Sequence, residues 1–221
     1  GPNISQSHSP EEIARMNDYV NSTNQRIIDY ANEVLSSPNN YHKPLELAAS
    51  SQQAIDDIRR ATGIDTTGNK TVIDKDAIIH ISKRHMGDNG EHDVSMADPN
   101  SLGRIENVIN DHDMVFLGNN GRNGGKKMSD GSKAPTVVFV KKIDGYYYAV
   151  EAVSDAKTKT NYVTGAYIGN AESLERNIKK GSIVPVADAT QGAPSQTANT
   201  ALESTSDFET TNVVNQNISP N

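Results

Sequence analysis

Residues 74–86 read Asp-Lys-Asp-Ala-Ile-Ile-His-Ile-Ser-Lys-Arg-His-Met and hold two histidines, two lysines and an arginine. Histidine moves protons near neutral pH, and an adjacent Arg and Lys can stabilise charge developing on a phosphate oxygen. At about 100° per residue, Ala77, Ile78, Ile81 and His85 share one helical arc, with His80 and Arg84 together on its flank and Lys83 beyond His80. This set could transfer a phosphoryl group without a metal. The same residues would equally suit a hydrogen-bonded core histidine beside a solvated cationic face. A zinc site fits less well, because His80 and His85 are five residues apart, about 140° around a helix. Further ligands, His92-Asp93 or Asp111-His112-Asp113, could join only through the tertiary fold. No metal and no cofactor is expected.

Two other stretches could serve such chemistry. Residues 119–142 carry six basic side chains, Arg122, Lys126, Lys127 and Lys141 among them, against one acid. A glycine-rich basic loop opening into a strand can hold a polyanion backbone, and it can equally be a solvated surface loop. Its Gly124-Gly-Lys-Lys lacks the spacing of a nucleotide-binding P-loop. In Asn161-Tyr-Val-Thr-Gly-Ala-Tyr167, Thr164 and Tyr167 could place hydroxyls on phosphate. Strand alternation would set Tyr162 and Thr164 on one face, with Val163, Gly165 and Tyr167 on the other.

Positioning these residues requires an α+β framework. Ser9-Pro10-Glu-Glu starts a helix, and apolar residues at near-helical spacing continue it to Leu35 before Ser37-Pro38 ends it. A second helix is predicted over 44–61, carrying Leu45, Leu47, Ile55 and Ile58 and closed by Gly63. Asp74 caps a third through Met86, and Asp98-Pro99 opens a fourth with Leu102, Ile105, Val108 and Ile109 as its stripe. Strands follow at 114–117, 135–142, 146–153 and 159–168, with Asp144-Gly145 as a two-residue hairpin. A last helix covers 170–180, ahead of Ile183-Val-Pro-Val186.

The chain has 221 residues, a formal charge of −7 and 34% apolar residues. Residues 1–70 and 189–221 each carry −3 and residues 71–188 only −1, so the acidity lies mainly outside the middle segment. The expected organisation is a tag scar and disordered start at 1–8, helices at 9–68, an α+β domain at 69–188, and a disordered Ser/Thr/Asn-rich tail or linker at 189–221. The absence of cysteine excludes disulfides, thiolate metal sites and a cysteine nucleophile. No apolar run approaches the ~20 residues of a membrane span.

The helix His80-Ile-Ser-Lys-Arg-His85, the helix-to-strand entry Ile105-Glu-Asn-Val-Ile-Asn through Leu117, and the strand Tyr162-Val-Thr-Gly-Ala-Tyr167 resemble one known family. It comprises the phage-associated nuclease domains of the barnase, EndoU, colicin and RelE type, found in Mu-type head-morphogenesis and polyvalent phage proteins. The resemblance spans residues 71–168. It implies helices packed on a small antiparallel sheet and a metal-independent, toxin-like endoribonuclease, with RNA as substrate, tRNA as a candidate, and an immunity or phage protein as a candidate partner. His80, His85, Thr164 and Tyr167 carry over by motif position as catalytic residues, while Lys83 and Arg84 follow from the helix face. One histidine would deprotonate the 2′-hydroxyl, a second group would protonate the departing 5′-oxygen, and Lys83 or Arg84 would hold the phosphate. The setting implied is a bacterial cytoplasm or a phage particle. Two alternatives stand beside this: a phage structural or binding module that keeps the fold without the chemistry, and an ADP-ribosyltransferase. The second lacks a Glu-x-Glu, since Glu151 stands alone on its strand.

Overall fold

A computed structural model describes residues 10–11, 25–87, 93–118, 126–128 and 130–186. The expected tail at 189–221, the expected start at 1–8 and residues 12–24 of the expected N-terminal helix lie outside them. Helices α1 (Gln25–Ser36), α2 (Gln52–Thr62), α3 (Lys75–His85), α4 (Ile105–Asn110) and α5 (Ala171–Lys179) accompany one seven-stranded sheet, an α+β fold. The strands are β1 (Leu45–Glu46), β2 (Lys70–Ile73), β3 (Met114–Gly118), β6 (Thr136–Ile143), β7 (Tyr146–Asp155), β8 (Thr160–Gly169) and β9 (Ile183–Pro185). Their spatial order is β1-β2-β8-β7-β6-β3-β9. A separate ladder pairs β4 (Lys126–Lys127) with β5 (Lys133–Ala134).

Most expected elements form as the sequence implies. Asp144 and Gly145 both take positive φ, 52° and 83°, the backbone of a tight hairpin turn between β6 and β7. Gly63 closes α2 at φ 79°, and Asp74 caps α3 by accepting from the Ala77 amide at 2.9 Å. Asp98 caps as expected, but the turn it opens is a 3₁₀ helix (Pro99–Arg104) that becomes α-helical only at Ile105.

Three expectations are corrected. Helix α2 begins at Gln52, not Pro44, because Ser51 supplies the cap by accepting from Ala54 N. Before it, half-buried Leu45, exposed Glu46 and buried Leu47 alternate with period two, and the segment pairs with β2 as a strand. Strand β2 itself was not foreseen, since three buried residues, Thr71-Val-Ile, show no alternation to read. The sheet is therefore mixed rather than antiparallel: β2 runs parallel to the first half of β8.

Helices α1 to α4 cover one face of the sheet. Ile27, Val34, Ile78, Ile81, Leu102 and Val108 pack there with Phe139, Val150, Val163 and Ala166 in one core. On the second face, Leu174 of α5 meets Phe116, Val138, Val140, Tyr147 and Ala149. Among the described residues α5 is the helix on that face, where it touches β7, β8 and β9.

Candidate active site

Helix α3 delivers the first group. Its apolar arc, Ala77, Ile78 and Ile81, is buried against β8 and α1, and the arc ends at His85. Strand β2 pairs only with Thr160 to Val163 of β8, so the rest of the β8 edge has no partner from β2. His85 reaches that edge and stacks on Tyr167, ring centroids 5.4 Å apart. The loop at 93–97 closes behind it: Met96 N donates to His85 O at 2.8 Å, and Ile168 N donates to Ser95 Oγ at 3.3 Å.

In this loop Asp93 fixes the imidazole. His85 Nδ1 lies 2.7 Å from Asp93 Oδ2, and Asp93 Oδ1 accepts from Ser95 N at 2.9 Å. Burial pushes the Asp93 carboxyl up, but the hydrogen bonds from His85 and the Ser95 amide outweigh it and hold Asp93 below the ordinary carboxylate range. The carboxylate therefore accepts, Nδ1 donates, and Nε2 has no hydrogen-bond partner among the described residues. Both side chains of the pair are 17% exposed, so solvent and a ligand can reach them.

The second group comes from β7. Between β7 and β8 the register shifts: Glu151 faces Gly165, but Ala152 faces Val163, so Thr164 is an inserted bulge residue. The bulge reverses the alternation expected from sequence. Val163, Ala166 and Ile168 point into the helical core, while Tyr167 packs against the second-face cluster. Glu151 alternates with Tyr147 and Ala149 of that cluster, so it shares the face of Tyr167. Burial raises the Glu151 carboxyl above the ordinary glutamate value, opposed by the positive charges of His85 and then Arg84. Burial, reinforced by the charges of Glu151 and Asp93, pushes the Tyr167 phenol up, so it stays protonated and can donate. Thr164 Oγ1 donates to the Glu151 carbonyl at 3.4 Å. The arrangement joins a carboxyl, an imidazole held through Nδ1 and a phenol on one side of the β7–β8 ribbon, with the charge of Arg84 acting on the carboxyl, a set suited to moving two protons around an anionic centre.

A profile of the family described as phage-Barnase-EndoU-ColicinE5/D-RelE like nuclease3 matches residues 50–176, more than half of the chain. The chain belongs to this nuclease family. Its substrate is accordingly a nucleic acid, and the match takes in α2 and every strand from β2 to β8. No curated protein and no solved structure is significantly similar to the chain.

Within the nuclease domain the residues singled out from sequence separate into groups. Tyr167, stacked on His85, and Thr164 lie beside Glu151, while Arg84 is exposed on α3 and acts on Glu151 through its charge. His80 and Lys83 are exposed on the solvent side of α3. Burial, then the charges of Arg84 and His85, lowers the His80 imidazole below its ordinary value, so it is neutral at pH 7. Lys141 is on the opposite, helical face of the sheet from Glu151, because it alternates with Phe139 and Ile143 of that core. Its ammonium donates to the Asp111 carbonyl at 2.8 Å and carboxylate at 3.1 Å, a commitment that takes it away from nucleic acid. Its neighbour Lys142 lies over the Tyr147 ring on the Glu151 face. Lys126 and Lys127 form β4, whose partner β5 lies against β7, while Arg122 falls outside the described residues. Among the described residues no group of three His, Asp or Glu side chains converges as a metal site. No described helix is long and apolar enough to cross a membrane.

Sequence reasoning missed Glu151 and Asp93 as site residues. Glu151 had a readable signal: it is the lone acid in Tyr-Tyr-Tyr-Ala-Val-Glu-Ala-Val, and a charge on a strand otherwise fit for burial asks for a reason. Asp93 had none, since its pairing with His85 depends on where the following loop returns.

Proposed function

We propose that the domain is a metal-independent endoribonuclease that cleaves RNA by transesterification, with Glu151 and His85 as its proton-transfer pair. The observation that carries this reading is the placement of Glu151 on the Tyr167 face of β7–β8, its charge coupled to an imidazole that Asp93 holds by Nδ1. The Glu151 carboxylate takes the proton of the 2′-hydroxyl, and the 2′-oxygen bonds to phosphorus. The phosphorus–5′-oxygen bond breaks, and the departing oxygen takes the Nε2 proton of His85 in its doubly protonated form, leaving the Nδ1–H imidazole that Asp93 holds. The products are a 2′,3′-cyclic phosphate and a 5′-hydroxyl. Arg84 neutralises charge on the non-bridging oxygens, with Tyr167 as a hydroxyl donor. Acid, base and charge stabiliser are all side chains of this chain, so no step calls on a metal. His80 and Lys83, exposed on α3, act on the flanking backbone of the RNA. The nucleophile being a 2′-hydroxyl, RNA is cut and DNA is not.

The test is incubation with total tRNA, and with DNA of matched sequence, in EDTA, beside His85→Ala and Glu151→Gln. Cleavage of RNA alone, ending in 2′,3′-cyclic phosphate by mass spectrometry and lost in both variants, is the expected result. RNA left intact by the wild type, cleavage abolished by EDTA, or equal cutting of DNA would overturn it. The first of these would favour a binding module with the same fold.

A further inference from the structure

Gly165 faces Glu151 across the bulged pair. Its φ is not among the positive values that favour glycine, so its backbone would accept any residue. A side chain there would meet one thing first: a Cβ on Gly165 would lie 2.5 Å from Glu151 Oε1, with the rest of the glutamate at ordinary contact distances of 3.5 and 3.9 Å. The carboxylate therefore occupies the volume that a side chain at 165 would fill. We infer that Gly165 is a positioning residue, kept without a side chain so that the Glu151 carboxylate can lie against the β8 backbone within reach of His85; the inference rests on the function proposed above. The inserted Thr164 completes the device. It binds the Glu151 carbonyl and sets the register that brings Tyr167 to the same face.

A methyl group at 165 presses on the far end of a flexible side chain rather than on backbone, so the fold yields by swinging Glu151 outward. Gly165→Ala should keep its melting temperature yet lose about a hundredfold in kcat/KM for RNA, within the span of a displaced general base. Carbon-13 titration of the glutamate carboxyls gives a readout independent of catalysis. Glu151 titrates above the ordinary glutamate value in the wild type and returns toward it in Gly165→Ala, and the acid limb of the pH–rate profile moves down with it. Should Gly165→Ala fold poorly, the same change in a Glu151→Ala background decides the matter: with the carboxylate gone the methyl has room, and stability equals that of Glu151→Ala alone. The inference is overturned if Gly165→Ala leaves the Glu151 titration unmoved, or if it destabilises the Glu151→Ala background as much as the wild type. A wild type that does not cut RNA overturns the nuclease reading instead, while the titration still reports where Glu151 sits.

Discussion

Two histidine–aspartate pairs stand out among the described residues, built from the same atoms in different surroundings. His85 and Asp93 meet beside the edge of β8, each side chain 17% exposed, with one imidazole nitrogen held and the other without a hydrogen-bond partner among the described residues. His112 and Asp57 meet beneath α2, where the His112 side chain is only 1% exposed. There Nε2 lies 2.5 Å from Asp57 Oδ2 and Nδ1 lies 2.8 Å from the Ile109 carbonyl, and the ring tilts onto Phe139 at 4.9 Å. Arg60 closes the arrangement with two hydrogen bonds to the same carboxylate. Both nitrogens of His112 face acceptors, so the ring has nothing left to offer a ligand. A histidine becomes chemically available when its partner fixes one nitrogen and the fold leaves the other uncovered.

The largest effects should separate the two pairs cleanly. His85→Ala is expected to lower RNA cleavage by a factor of about 10² to 10⁴ with little change in melting temperature. His112→Ala leaves Asp57 buried without its main partner and should cost about 3 kcal/mol in denaturant unfolding, with activity per folded molecule retained. Loss of cleavage in His112→Ala at a temperature where circular dichroism shows it folded would break the comparison.

Glu151→Gln comes next. A carboxyl raised on folding contributes stability that is present below its unfolded value and lost as pH rises through its folded value, so ionised Glu151 strains the fold at neutral pH. The variant should lose cleavage yet melt at or above the wild type at pH 7, and a lower melting temperature would contradict the placement of Glu151.

Asp57 carries the opposite sign. Burial pushes its carboxyl up, but the hydrogen bonds from His112 and Arg60 outweigh this and leave it below the ordinary value. Its stabilisation is therefore present above the unfolded carboxylate value, near 3.8, and is lost as pH falls through the depressed folded value. Thermal melts of Asp57→Asn should lie several degrees below the wild type at pH 7, about 2 kcal/mol, and converge on it in acid. Asp93→Asn should instead lower cleavage about tenfold by freeing the imidazole, with a smaller stability cost. The smallest effects belong to His80→Ala and Lys141→Ala. Each should change kcat/KM less than about threefold, since one is solvent-facing and the other is bound to Asp111 on the far side of the sheet.

Much of this frame could be read locally. The caps Asp74 and Asp98, the Asp144-Gly145 turn and the three long strands β6, β7 and β8 depend on neighbours within a few residues, so propensity and pattern decide them. Leu45 and Leu47 misled because two apolar residues two apart also fit a ragged helix, and only pairing with Thr71 to Ile73 selects the strand. His85, Arg84, Thr164 and Tyr167 were legible as candidates because their types are right for phosphate chemistry. Glu151 was visible but unassigned, and Lys141 entered as one member of a basic run, which does not say which members point where.

By itself the sequence determined the class of fold and the α3 helix with His85 at the end of its apolar arc. Those follow from short-range rules: helical spacing, capping and strand alternation act between residues close in the chain. Only the tertiary structure decided that pairing of β2 with β8 ends at Val163, that a bulge at Thr164 turns Tyr167 onto the face of Glu151, and that Asp93 returns to hold His85. These are long-range matters of register and loop closure. One inserted residue reverses every side chain beyond it, and neither composition nor periodicity records where pairing slips.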